Sequence, residues 1–107
     1  MHDNDETRYE IYRGTNKGME VKFCMYGRPY CMDEADRLEL EVRDYRNNNE
    51  IVIAKSVTGD NCFTFYPEDT ENLDIGFYVY NVKLYPEDSE EIYTAIEPSV
   101  FQIKASE

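Results

Sequence analysis

The tightest constraint on this chain is the nine-residue run Phe77 to Tyr85, FYVYNVKLY. Side chains of an extended strand repeat every second residue. Tyr78, Tyr80, Val82 and Leu84 therefore share one face, and Phe77, Val79, Asn81, Lys83 and Tyr85 the other. The period is two, not 3.6, so the run is a strand and not a helix. What precedes it fixes how the chain arrives. Pro67 ends an earlier strand because it has no N–H to give to a ladder, and it suits the first position of a helical turn. Glu68, Asp69 and Glu71 put carboxylates near the turn's N-terminus, where the peptide dipoles favour them. Leu73 is expected to be the buried peg of this turn, and Gly76 a corner where φ is positive.

The other strands follow from the same alternation. Tyr9 and Ile11 lie in a short strand within Arg8 to Arg13, closed by a turn from Gly14 to Gly18. Met19 to about Tyr26 reads as a second strand, with Val21, Phe23 and Met25 on one face and Glu20, Lys22 and Cys24 on the other. Gly27 to Asp36 is irregular, and Met32 or Ala35 is expected to plug the end of the core. In Arg37 to Arg43, Leu38, Leu40 and Val42 alternate with charged residues, as a sheet dry on one side requires. Asp44 to Glu50 is a polar hairpin loop whose asparagines tolerate left-handed backbone. Ile51 to Val57, then Cys62 to Tyr66 with Phe63 and Phe65 inward, precede the proline turn. Pro86 to Glu90 is an acidic hairpin loop. The last segment, Glu91 to Lys104, is expected to place Tyr93 with Ala95, or Ile92 with Ile96, inward; Pro98 marks a bulge or a switch between sheets.

Short strands with turn signals every eight to twelve residues mean a sandwich or barrel. The expected fold is all-β: an immunoglobulin-like antiparallel β-sandwich of about seven to eight strands, with one short helical turn near residues 67–73. A tyrosine just after a corner, opening a central strand, is the tyrosine corner of such sandwiches. The Tyr78 hydroxyl is thus expected to bond back to the corner backbone. Residues 1–6 read as a flexible lead-in and 7–105 as one sandwich domain. Two acidic turns, Tyr66 to Glu71 and Tyr85 to Glu90, resemble each other, but their flanking strands do not match, so no repeat is implied.

Composition removes several functions. A formal net charge of −12, from 23 acidic and 11 basic residues, repels phosphate backbones and anionic membranes, so no nucleic acid and no membrane is an expected partner. There is no apolar run long enough to span a bilayer and no charged-then-apolar leader at the N-terminus. Cys24, Cys31 and Cys62 are odd in number and form no CxxC pair, against a disulfide framework or zinc knuckle; they read as small half-buried residues in a reducing compartment. His2 is the one histidine, which removes Ser–His and Cys–His catalysis. The glycines at 14, 18, 27, 59 and 76 are isolated and build no phosphate loop. No catalytic, cofactor-binding or metal residue is assigned, no cofactor is expected, and the chain is read as not an enzyme. Oxygen-rich clusters at Asp3–Asn4–Asp5–Glu6 and at Asp33, Glu34 and Asp36 leave calcium as the alternative chemistry. Neither has the spacing of an EF-hand loop.

One resemblance covers most of the chain. Val57–Thr58–Gly59, Phe63–Thr64–Phe65, Pro67–Glu68–Asp69–Thr70 and Leu73 to Val82 resemble immunoglobulin-like sandwich domains of tailed bacteriophages, found in baseplate upper proteins and tail- or fibre-associated proteins. There the pattern is an aromatic strand, a TPEDT turn, LPPGxYxYDI, and a hairpin ending in an apolar strand. Ile92–Tyr93 and Val100 to Ile103 echo the last part, and Arg13–Gly14–Thr15 resembles an opening RGD turn. The chain departs from it where Asp74 and Ile75 replace the two prolines, and in the length of Gly27 to Asp36. The resemblance implies a non-enzymatic prophage structural or assembly module, a virion component assembled in the bacterial cytoplasm. Its implied partners are other tail or baseplate proteins, or a second copy, met through a sheet edge or an exposed aromatic face. Phe77, Val79 and Tyr85 are the candidates for that face. The alternative role is a carbohydrate- or calcium-binding sandwich.

Overall fold

The two cleanest alternating runs become neighbours at the centre of the main sheet. A computed structural model describes residues 7–105, with nine strands and one helical turn. The strands are β1 (Tyr9–Tyr12), β2 (Lys17–Glu20), β3 (Cys24–Met25), β4 (Arg28–Pro29), β5 (Arg37–Asp44), β6 (Glu50–Thr58), β7 (Cys62–Phe65), β8 (Gly76–Tyr85) and β9 (Tyr93–Lys104), with α1 at Pro67–Thr70. Five form a sheet in the order β1-β9-β8-β5-β6, and β2 pairs with β7 across the core. β3 and β4 make a separate two-residue hairpin. All pairs are antiparallel except β1 with β9, which is parallel. The fold is thus the expected all-β sandwich with one short helical turn, and a parallel first strand closes one edge.

The core is the inward face of that alternation. Leu38, Leu40 and Val42 of β5, Tyr78, Tyr80, Val82 and Leu84 of β8, and Phe101 and Ile103 of β9 are all buried. Phe63 and Phe65 of β7, with Met19 and Val21, press on them from the second sheet. The Phe65 and Phe101 rings meet edge to face at 5.5 Å, and Tyr80 meets Phe101 at 6.0 Å, geometries that the ring quadrupoles favour. Full burial of each such side chain contributes about 1.5–3 kcal/mol.

The corner works as the sequence implies. Tyr78 donates its hydroxyl to the Asp74 carbonyl at 2.7 Å, a tie across the loop that enters β8. Gly76 has φ +143°, and a side chain there would meet the Arg46 guanidinium. Gly59 closes the β6–β7 turn with φ +71°, and a Cβ would lie 2.7 Å from the Glu34 carbonyl oxygen. Only glycine permits both the angle and the approach. Asn48 and Asn49 take left-handed backbone in the β5–β6 loop.

Several local expectations are corrected. The second strand does not run from Met19 to Tyr26; ladder pairing stops at Glu20, where β7 begins at Cys62. The chain then bends into the β3–β4 hairpin, although Val21 and Phe23 keep their inward side. In β9 the first of the two proposed pairs is inward, Tyr93 and Ala95 both packing half-buried on the core, but Ile96 is buried beside them while Ile92 is exposed. The reason is register. Tyr80 faces Ser99 and Val82 faces Ile96, so Glu97 and Pro98 together oppose Asn81 as a bulge, and a second shift follows before Thr94. Each shift reverses which parity points inward. Leu73 is half-buried against the core, and the fully buried residue of the helical turn is Thr70. Met32 does pack on the core.

Candidate functional site

Polar groups from three loops gather on Asp36, a residue that sequence reading misplaced. It is 2% exposed, not a solvated member of an acidic cluster. One carboxylate oxygen accepts the Tyr30 hydroxyl at 2.6 Å and the Asp33 N–H at 3.0 Å. The other accepts the Glu87 N–H at 3.1 Å. Burial works to raise the Asp36 pKa, but the three donors, led by the Tyr30 hydroxyl, outweigh it and hold it below the ordinary carboxylate range. Its main chain adds two ties, from its own N–H to the Asp33 carbonyl and from the Gly59 N–H to its carbonyl. Asp36 therefore clamps three loops and has little capacity left for a ligand. Among the described residues no group of three or more His, Cys, Asp or Glu side chains is placed to hold a metal. Asp3 to Glu6, and His2, lie outside the described residues.

The cysteines are corrected too: Cys24, Cys31 and Cys62 are all exposed. Cys62 lines a 390 Å³ depression between β6 and β7. Desolvation of its thiol, then the charges of Asp60 and Glu20, push its pKa up, the opposite of what a nucleophilic thiolate needs. Tyr9 and Tyr80 are also raised, Tyr80 to about 12, chiefly by burial, and so stay neutral. Their hydroxyls are structural donors: Tyr9 to the Gly18 carbonyl at 3.0 Å and Tyr80 to the Thr7 carbonyl.

What stands out instead is a surface. The outer face of the five-stranded sheet is built in rows by the strand register. Phe77 sits beside Gln102, which lies beside Glu10. In the next row Val100, Val79, Arg43 and Ile51 stand side by side across four strands. Phe77 is 46% and Ile51 41% exposed, and Val79 and Val100 are half-covered. Tyr12 is a further exposed aromatic of this face, at the β1 edge beside Lys104.

Charge borders this strip, enters it at Arg43, and is mostly neutralised in place. On β5, Arg43 pairs with Glu41 at 2.8 Å and Arg37 with Glu39 at 2.9 Å. At the β1 edge Glu10 receives Arg8 at 3.0 Å and Lys104 at 3.3 Å. Hydrogen bonds from Arg8 and then Lys104 hold the Glu10 carboxyl below its usual range. The Arg8 guanidinium lies 5.6 Å from the Phe77 ring centre, and that of Arg37 lies 4.4 Å from Tyr85, within cation–π range. Lys83 and Glu97 complete the charged side chains of the face.

Phe77, Val79 and Tyr85, singled out from the sequence, thus do share one face. Val100, Ile51 and Tyr12 were missed. Their signal was too weak to find: each looks like an ordinary strand residue until strand order places it beside Val79 or the β1 edge. The chain matches no family model, no curated protein and no solved structure. No helix among the described residues is long and apolar enough to cross a membrane.

Proposed function

We propose that this chain is a non-enzymatic structural or assembly module of a bacteriophage or prophage particle, associated with the tail or baseplate, acting through protein–protein contacts. The observation that carries the reading is the outer sheet face. An apolar patch of Phe77, Val79 and Val100, with Ile51 beyond the paired Arg43 and further paired charges around it, combines apolar contact area with a polar surround, as contact surfaces do. The resemblance of the Phe63 to Val82 stretch to phage sandwich domains supplies the biological setting. The tyrosine corner at Tyr78 and the short helix at Pro67–Thr70 fall on the same residues that carry that resemblance.

The test is composition of the particle. Induce the prophage that encodes the chain, purify particles by density gradient, and quantify their proteins by mass spectrometry. The expected result is the chain at a fixed, whole-number stoichiometry to the tail proteins, together with tail defects when the gene is deleted. Particles that lack the chain, with normal tails in the deletion, overturn the reading.

A further inference from the structure

We propose that the outer face of β1-β9-β8-β5-β6 is self-complementary and that its occupant is a second copy of this chain, packed face to face about a two-fold axis. The inference rests on reading that face as the contact surface, and it names the partner.

Charge selects the occupant. The whole chain has 11 basic and 23 acidic side chains, so two copies repel over most approaches. The outer face is the exception. It carries five basic groups, Arg8, Arg37, Arg43, Lys83 and Lys104, against the four carboxylates of Glu10, Glu39, Glu41 and Glu97. Most are already paired within the same copy. The surplus acid lies elsewhere, in the turns around Asp33, Glu68, Asp74 and Glu87 to Glu91. A near-neutral face on a strongly acidic body is where two such bodies meet at least electrostatic cost, because exposed charges beyond about 8 Å are screened at physiological salt. A basic partner would instead be drawn to the acidic turns.

Area agrees. Five strands spaced about 4.8 Å apart, over some eight residues at roughly 3.3 Å each, present about 600 Å² per copy. Two copies would bury about 1,200 Å², the lower end of specific interfaces. The outer face of β2–β7, with two four-residue strands, offers only about 130 Å² on the same spacing and is too small. A C2 contact is isologous, so one apolar strip serves both copies. Phe77, at the end of the face where β1, β9 and β8 lie side by side, supplies an aromatic anchor on each side.

The experiment is sedimentation equilibrium of the intact chain from about 1 µM to 1 mM, spanning the affinities that such interfaces give, at low and at high salt. A reductant is present throughout because the three exposed cysteines would otherwise cross-link copies. The expected result is a monomer–dimer equilibrium that strengthens as salt rises. Phe77→Glu should be monomeric throughout, and Lys83→Glu should weaken the dimer at least tenfold at low salt and less at high salt. Ile92→Glu, an exposed apolar residue off this face, should leave it unchanged. Circular dichroism establishes that each variant is folded. Wild-type chain that stays monomeric to 1 mM overturns the inference, as does a dimer that survives Phe77→Glu or is lost equally in Ile92→Glu. A dimer that weakens with salt would also overturn it, since attraction between opposite charges would then be the driving force. These outcomes are independent of the particle analysis: chain absent from particles removes the phage reading and leaves the dimer, whereas a monomer removes the dimer and leaves the phage reading.

Discussion

Tyr66–Pro67–Glu68–Asp69–Thr70–Glu71, leaving β7, and Tyr85–Pro86–Glu87–Asp88–Ser89–Glu90, leaving β8, share a proline, an acidic pair and a hydroxyl at matching places, yet only the first winds into a helix. In the first, Asp69 accepts the Tyr66 N–H at 2.8 Å and returns its own N–H to the Tyr66 carbonyl at 2.9 Å. It also meets Lys55 of β6 at 2.8 Å. Thr70 is fully buried, and its hydroxyl oxygen accepts the Gly14 N–H at 2.8 Å. In the second, Ser89 is exposed and accepts the nearby Glu91 N–H, and the turn is pinned from outside, by Asp36 on the Glu87 N–H. Local propensity is nearly equal in the two. The first turn has a core to dock on and the second has a carboxylate to hang from, so tertiary partners decide which one becomes a helix.

The largest expected effect breaks the external pin. Asp36→Ala leaves the Tyr30 hydroxyl and two backbone N–H groups without their acceptor, and should cost about 3 kcal/mol by urea unfolding. The same carboxylate predicts a pH dependence with a definite sign. Its folded pKa is lowered, so its contribution is full above the unfolded value of about 4 and is lost as pH falls through the folded one. The stability gap between wild type and Asp36→Asn should therefore be constant near neutrality and shrink below about pH 4. A gap that does not change with pH would mean the charge itself is not what holds the three loops.

Next comes the docked turn. Thr70→Val keeps the shape and removes the acceptor for the Gly14 N–H, for an expected loss of about 1–2 kcal/mol. Ser89→Ala, the matching change in the second turn, should stay within about 0.5 kcal/mol. Equal losses would undo the distinction between a docked and a hanging turn. The smallest effect sharpens it. Asp69→Ala removes both the N-terminal carboxylate cap and the Lys55 pair and should cost about 1 kcal/mol, whereas Asp88→Ala should be close to neutral by the same measurement.

The strands were legible because alternation is local. Leu38, Leu40 and Val42, and Tyr78, Tyr80, Val82 and Leu84, announce their inward face by parity alone, and every one of them is buried. The Tyr78 corner was legible for a related reason: its partner, Asp74, lies only four residues away. β9 was legible only in part: Tyr93 and Ala95 pack on the core and Pro98 marks a bulge. The burial of Ile96 alongside them depends on two register shifts that come from pairing with β8 and reverse the parity on which such reading depends. The outer face was half legible. Phe77, Val79 and Tyr85 belong to one strand, but Ile51, Val100 and Tyr12 join them only through strand order.

By itself, then, the sequence determined the all-β class, the central strands and their dry faces, the glycine corner and the acidic character of the turns, since each follows from spacing within a few residues. Tertiary structure alone decided the parallel pairing of β1 with β9, the burial of Asp36 among three loops, the exposure of the cysteines, and which of two like turns became a helix. Each of these is settled by groups distant in the chain, where a hydrogen bond or a packed side chain outweighs the small differences in local preference.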